Sequence, residues 1–366
     1  MKLSVVNVST WYPEAIEQAQ LGCDHMPYAE MLRRFEDFCF GSDAFWSWGL
    51  RALGHEVRHV VANAERLQAK WRAEEMACRP ASPSETVMAQ AKAANADAVL
   101  LQDVSFMPAG DLRRLHERGC VVAAQVSCPM PPPNRLAQVD VAFTSFPHYV
   151  ERLRAHGVAR VEFLPLAFEP SVVKRAFPIV PLPARTIDVS FVGGVGRDSH
   201  WRAGTDAVEA VARVLGPDRF AWHGYGLDRL SPDSPLRACH RGGAWGLAMY
   251  EVYLRSKIVL NRHGEVSEGC GNNLRQFEST GAGACLLTDE CGAFRSGVSC
   301  VRYRTPDDAA ERAFRLLLDP QEILRIAGNG QAETWESHTW RNRMETVAPI
   351  LEEEVSKRGA ALGGKG

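Results

Sequence analysis

Asn261-Arg-His-Gly264 and then Glu268-Gly-Cys-Gly-Asn-Asn-Leu-Arg-Gln-Phe-Glu278-Ser-Thr-Gly-Ala-Gly-Ala-Cys-Leu-Leu-Thr-Asp289 read as loop, helix, glycine turn and strand. The apolar run 257–260 predicts a strand before them. Asn272 predicts the helix N-cap, because an asparagine side chain accepts the orphan N–H groups of a first turn. Leu274 and Phe277 give that helix an apolar side, and Gly281 and Gly283 end it. Residues 284–287 predict the next buried strand, closed by Thr288-Asp289.

The N-terminus of such a helix carries unsatisfied N–H groups and a positive dipole end, which suit an anion. Asn272, Asn273 and Arg275 crowd that end with donors. Glu278 follows roughly 9 Å further along the helix, about the distance from a nucleotide's diphosphate to its ribose. A carboxylate accepts ribose hydroxyls well, as in dinucleotide folds. An ordinary βαβ unit with Arg275 and Glu278 paired across one turn fits the same spacing.

Other stretches share a pattern with this one: Cys39-Phe-Gly-Ser-Asp-Ala-Phe-Trp, Ser145-Phe-Pro-His-Tyr, Phe191-Val-Gly-Gly, Ala244-Trp-Gly-Leu-Ala-Met-Tyr, Leu260-Asn-Arg-His and Asn272-Asn-Leu-Arg-Gln-Phe-Glu. Together they resemble the CgeB-like (spore-maturation-protein type) branch of the GT-B glycosyltransferases over nearly the whole chain. Glu278-Ser-Thr-Gly-Ala-Gly is similar to the second of two glutamates, eight residues apart, in the retaining glycogen-synthase and mannosyltransferase type. The first falls at Cys270, with Glu268 out of register. The resemblance implies a GT-B fold: two Rossmann-like, doubly wound parallel-sheet domains facing across a cleft, with a nucleotide-diphosphate sugar as donor and a retaining outcome.

The 366-residue length predicts two domains. Hydrophobic residues at 46% and charged residues at 23% are those of a soluble globular protein. A net charge of −2 gives no footprint for nucleic acid. The opening Met1-Lys-Leu-Ser-Val-Val-Asn-Val-Ser turns polar too soon for a signal peptide and reads as a first strand. No run of about 18 apolar residues predicts a membrane segment. The ten cysteines include no Cys-x-x-Cys, and read as small buried hydrophobes in a reducing cytoplasm.

Strand-like runs at 2–8, 57–61, 98–101, 120–126, 139–144 and 161–164 alternate with helical periodicity, which predicts a parallel sheet. Residues 169–185 hold Pro170, Pro178, Pro181 and Pro183 and read as a linker. A second series begins at 187–192, followed by Gly193-Gly194-Val195-Gly196 and a helix from about Ser199. The expected division is 1–168 for the acceptor, 169–185 as linker, 186–338 for the donor, and 339–366 as a last helix to about 356 with a disordered tail from Ala360. In GT-B folds that helix crosses back to the first domain.

Ligands of open α/β sheets bind beyond the carboxyl ends of strands. On that rule Gly193, Gly194, Tyr225, Asn261, Arg262 and His263 join Asn272, Asn273, Arg275 and Glu278 as donor-site candidates. Arg197, Arg202, Arg262 and Arg275 offer the fixed donor fork that suits a diphosphate. Asp103 and His148 are the catalytic candidates: a base for an acceptor hydroxyl and a contact to the leaving phosphate or a sugar hydroxyl. A loop carboxylate and a capping or packing histidine are the plain alternatives. Trp11, Tyr12, Tyr28, Trp46 and Trp48 offer stacking faces or core. No Asp-x-Asp occurs, which agrees with a metal-independent reaction and no cofactor beyond the donor. The expected activity is a hexosyltransferase-like glycosyltransferase acting on a glycan, protein or small-molecule acceptor. A nucleotide-sugar epimerase of the same fold and a non-catalytic sugar or nucleotide binder are the other readings.

Overall fold

Short runs rich in β-branched and aliphatic residues, most of them buried, alternate with helices and form two α/β units. The first comprises Met1–Pro165 with Trp340–Gly366, and the second Leu166–Thr339. The computed structural model describes residues 1–75, 82–127, 129–176, 181, 184–196 and 202–363, with backbone alone at 202–203 and 362–363. Arg197, Ser199, Cys78, Cys128, Pro178 and Pro183 lie outside the described residues, as does the side chain of Arg202.

Unit 1 holds β1 (Ser4–Ser9), β2 (Glu56–Val61), β3 (Ala98–Leu101), β4 (Val121–Gln125), β5 (Val141–Thr144) and β6 (Arg160–Phe163). They form a parallel sheet in the order β2-β1-β3-β4-β5-β6. Every residue of β3 and β5 is buried, as expected of a parallel sheet covered on both faces. The helix Asp43–Ala52, the last of three between β1 and β2, meets the chain's final helix, Trp340–Gly363, at Gly49. A side-chain carbon there would fall 2.4 Å from Met344 Cγ, so only glycine admits the approach. The last helix continues through 360–363, where a disordered tail was expected. Lys357 pairs with Glu353 and Glu354 along it, and Arg358 ties it to Asp140. Residues 364–366 lie outside the described residues.

Unit 2 holds β7 (Ile187–Val192), β8 (Phe220–His223), β9 (Ser256–Leu260), β10 (Cys285–Thr288) and β11 (Val301–Arg302), parallel in the order β11-β10-β9-β7-β8. Val189, Phe191, Ile258, Leu260 and Leu287 pack with Val208, Val211, Ala309 and Ala313 in its core. Within 169–185, Ser171–Ala176 form a helix with Val172 and Val173 buried. Arg185, also buried, donates to the carbonyls of Tyr253, Ser256 and Ala282 at 3.3, 2.8 and 2.8 Å.

Candidate functional site

In each sheet the chain winds outward in both directions from its first strand. The direction changes between β1 and β3 in unit 1, and between β7 and β9 in unit 2. A crevice for ligand opens at such a switch point, outside the carboxyl ends of the strands.

In unit 2 the strand ends are Gly193-Gly194 after β7, Asn261-Arg262-His263 after β9, and Thr288-Asp289 at β10. Asn261, fully buried, joins them. Its Oδ1 accepts from Arg275 Nη1 at 2.8 Å and Asn273 Nδ2 at 2.9 Å, and its Nδ2 donates to Thr288 Oγ1 at 3.0 Å. The helix behind them is Leu274–Gly281, and its N-cap is Asn273, whose Oδ1 accepts from the Gln276 amide at 3.2 Å. The cap was expected one residue earlier. Asn272 instead turns its Oδ1 to the Leu166 amide at 3.4 Å. Gly283, at φ +73°, provides the left-handed residue just beyond the helix.

Two guanidinium groups lie over one ring. Arg275 Cζ is 5.0 Å and Arg262 Cζ 5.6 Å from the centre of Phe191. Arg262 Nη2 donates to the Gly194 carbonyl at 2.5 Å. Burial, and then the like charge of Arg275, push the Arg262 pKa down to about 10, which still leaves it a cation at neutral pH. No carboxylate stands within ion-pair distance of Arg275 among the described residues. Gly193 sits at φ +151°, where a side-chain carbon would meet Arg275 Nη2 at 2.6 Å. The same atom on Gly194 would meet the Tyr225 ring at 2.5 Å, and on Gly204 it would meet Arg262 Cδ at 2.0 Å. Three glycines thus make room for two arginines and a tyrosine. Two fixed cations beside a glycine turn form an arrangement whose chemistry suits a phosphorylated anion.

His263 donates from Nδ1 to Asp289 Oδ1 at 2.6 Å and from its amide to Asp289 Oδ2 at 2.8 Å. Burial pushes the Asp289 carboxyl up, but the His263 contacts outweigh it and hold the pKa below the usual carboxylate range. That tautomer leaves His263 Nε2, buried and without a hydrogen-bond partner, as an acceptor. Glu278 is 4% exposed and accepts from the Tyr250 hydroxyl at 3.2 Å. Burial pushes its pKa up to about 7, against the opposing effects of Arg275 and Tyr250. Arg275 and Glu278 are therefore not a solvated i,i+3 pair. Tyr225 lies nearly parallel to Trp245, 8° between planes and 6.0 Å between centres, and is 38% exposed.

In unit 1, Asp103 follows β3, accepting from Thr10 Oγ1 at 2.9 Å and from the Ser105 amide at 2.9 Å. His148 opens the helix Pro147–Ala155, packed between Phe146 and Tyr149 at 5.3 and 5.0 Å. Of the aromatic candidates, Trp46 is core and Trp11 and Tyr28 are buried, while Tyr12 is 53% exposed. Phe191, Asp289, Asp43 and His59 were not singled out as site candidates in the sequence. Only the spacing of Asp289, at a strand end, could have drawn attention to it. No cluster of three metal-ligating side chains occurs among the described residues, and no helix among them is long and apolar enough to cross a membrane.

This architecture is the GT-B fold. The HepE protein of Anabaena in complex with UDP-glucose matches with a TM-score of 0.57, over 96% of this chain and 100% of its own, at 10% identity. The UDP-GlcNAc 2-epimerase of Neisseria meningitidis bound to UDP-GlcNAc matches at 0.54, over 96% and 100%, at 11% identity. The S. aureus MnaA–UDP structure gives 0.53 over 97% of each chain at 11% identity. At such identities the likeness establishes the fold. Residues 202–348 match the family model described as glycosyl transferase-like. No curated protein matches the chain by sequence.

Proposed function

We propose that the chain is a metal-independent glycosyltransferase of the CgeB-like type, in which unit 2 binds a nucleotide-diphosphate sugar and unit 1 the acceptor. The observation that carries this reading is the pair Arg262 and Arg275 over Phe191, beside the Gly193-Gly194 turn at the switch point of unit 2. A leaving diphosphate develops negative charge, and fixed cations there lower the barrier without a metal. Tyr225 and Trp245 offer a flat face next to Gly194 for a base or sugar ring. His263, oriented by Asp289, is placed to accept a hydrogen bond from a sugar hydroxyl through Nε2. The transferase-like match over 202–348 and the UDP and UDP-sugar complexes of the fold neighbours support a uridine nucleotide as first probe.

The test is a thermal-shift and calorimetric screen of UDP, GDP and ADP with their glucose, N-acetylglucosamine and mannose conjugates. A ligand that binds only the native state raises the melting temperature. One nucleotide diphosphate should bind with its monophosphate weaker. Absence of binding by every diphosphate would overturn the reading, and interconversion of free nucleotide-sugars without an acceptor would favour an epimerase.

A further inference from the structure

The switch point of unit 1 carries its own polar cluster. Trp11 is fixed at the end of β1 by Asn63, which accepts from its amide at 3.0 Å and donates to its carbonyl at 2.8 Å. The indole Nε1 then donates to Asp43 Oδ2 at 2.9 Å. Asp43 opens the helix Asp43–Ala52, anchored by the Asn7 side chain donating to its carbonyl at 2.7 Å. The Ser9 hydroxyl, with the Trp11 indole, favours the ionised Asp43 carboxyl.

Behind Ser9 lies His59, fully buried, with Nε2 3.1 Å from Ser9 Oγ. Burial pushes the His59 pKa down to about 4, so the ring is neutral at pH 7. Its Nδ1 is 3.7 Å from Glu36 Oε1, with no hydrogen-bond partner. Glu36 is held by Arg51 through two bonds of 2.9 Å. His59 Nε2 and Ser9 Oγ are hydrogen-bonded, with the direction set by the imidazole tautomer. In front of Asp43, the Trp11 ring continues into Phe40 at 5.1 Å, and Phe40 into the exposed Tyr12 at 5.9 Å.

We infer that unit 1 carries an acid–base site for a carbohydrate hydroxyl, with Asp43 as the proton acceptor and the Tyr12–Phe40 face as the sugar's platform. This rests on the transferase reading. A carboxylate near an aromatic face that ends in the exposed Tyr12 is the chemistry that recognises a pyranose, polar at its hydroxyls and apolar on its C–H face. In the reaction, the Asp43 carboxylate takes the hydroxyl proton and the hydroxyl oxygen bonds to the anomeric carbon. The anomeric carbon's bond to the diphosphate breaks, and the electron pair leaves with the diphosphate. Burial pushes the Asp43 pKa up to about 7, against the Ser9 and Trp11 hydrogen bonds, which suits proton exchange near neutrality. The charged and titratable neighbours of Asp43 are His59 through Ser9, the Glu36–Arg51 pair behind it, and Asp103. Ser9 and His59 are positioning residues.

The Trp11 indole N–H is a direct reporter in a ¹H–¹⁵N spectrum. Its shift should titrate with a midpoint near pH 7 in the wild type and lose that step in Asp43→Asn. Millimolar maltose, cellobiose or chitobiose should move the resonance, and Tyr12→Ala should weaken that sugar affinity by about tenfold while leaving the pH step in place. With an active donor, Asp43→Asn should keep its UDP affinity but lose about a hundredfold or more in transfer to the disaccharide, with partial rescue by Asp43→Glu. A midpoint in the ordinary carboxylate range, or a response to sugar unchanged in Tyr12→Ala, would overturn the inference, as would no response to any of the three sugars. If UDP fails to bind the wild type, the transferase reading falls, while the indole titration and the sugar response still decide the fate of the Asp43 site.

Discussion

Arg275 Nη2 lies 2.6 Å from where a side-chain carbon on Gly193 would stand, so the arginine occupies space that only glycine leaves open. The two residues are far apart in sequence and come together because β7 and β9 are neighbours. Gly193→Ala should therefore move the guanidinium and also strain a backbone at φ +151°, at roughly 1–3 kcal/mol. The expected result is a folded protein with a lower melting temperature and about tenfold weaker UDP binding. Wild-type affinity in that variant would mean Arg275 does not touch the ligand.

Glu278 makes stability depend on pH. Its native pKa is raised from 4.5 to about 7 by burial. Between those values the native state keeps a proton that the unfolded chain has released, so stability falls as pH rises across that window. The full effect is on the order of 3 kcal/mol. Glu278→Gln, which preserves the shape and the Tyr250 contact, should flatten that part of the profile. Melting temperatures of both proteins from about pH 4.5 to 7.5 test this, and parallel curves would contradict it.

Cys291 should be the most reactive of the described cysteines. A hydrogen bond with Cys300 holds its thiol down to about 7, and the residue is only partly buried. Thiolate is the reacting form, so iodoacetamide should modify Cys291 first at neutral pH. Cys300→Ala should slow that reaction several-fold. Peptide mass mapping over time reads the order, and labelling of Cys270 ahead of Cys291 would count against it.

Chelator treatment should leave any transferase activity largely intact. The basis is the absence of Asp-x-Asp from the sequence, with Arg262 and Arg275 in the place of a divalent cation at the diphosphate. Loss of activity restored by manganese is the opposite outcome.

The alternation of apolar runs and helical periodicity made two parallel α/β sheets legible, since each strand carries its own local signal. Boundaries slipped where the signal was a single residue. Asn272 and Asn273 are equally good caps in sequence, and the Leu166 amide, a tertiary contact, takes Asn272. Glu278 read as a carboxylate for ribose hydroxyls because helical spacing gives its distance along the axis but not its depth, and it is buried against Tyr250. The grouping of Asp43 and His59 with Ser9 was illegible for a similar reason. They meet only through the pairing of β1 with β2 and the helix between them. Phe191 looked like any strand aromatic until two arginines from other elements converged on it.

The most direct test of the donor site is titration of wild type and Arg275→Ala with UDP and with UMP. A charged hydrogen bond of about 1.5–3 kcal/mol predicts a UDP affinity lower by roughly ten- to a hundredfold in the variant, with a smaller loss for UMP. Equal UDP affinity in the two folded proteins would contradict the account.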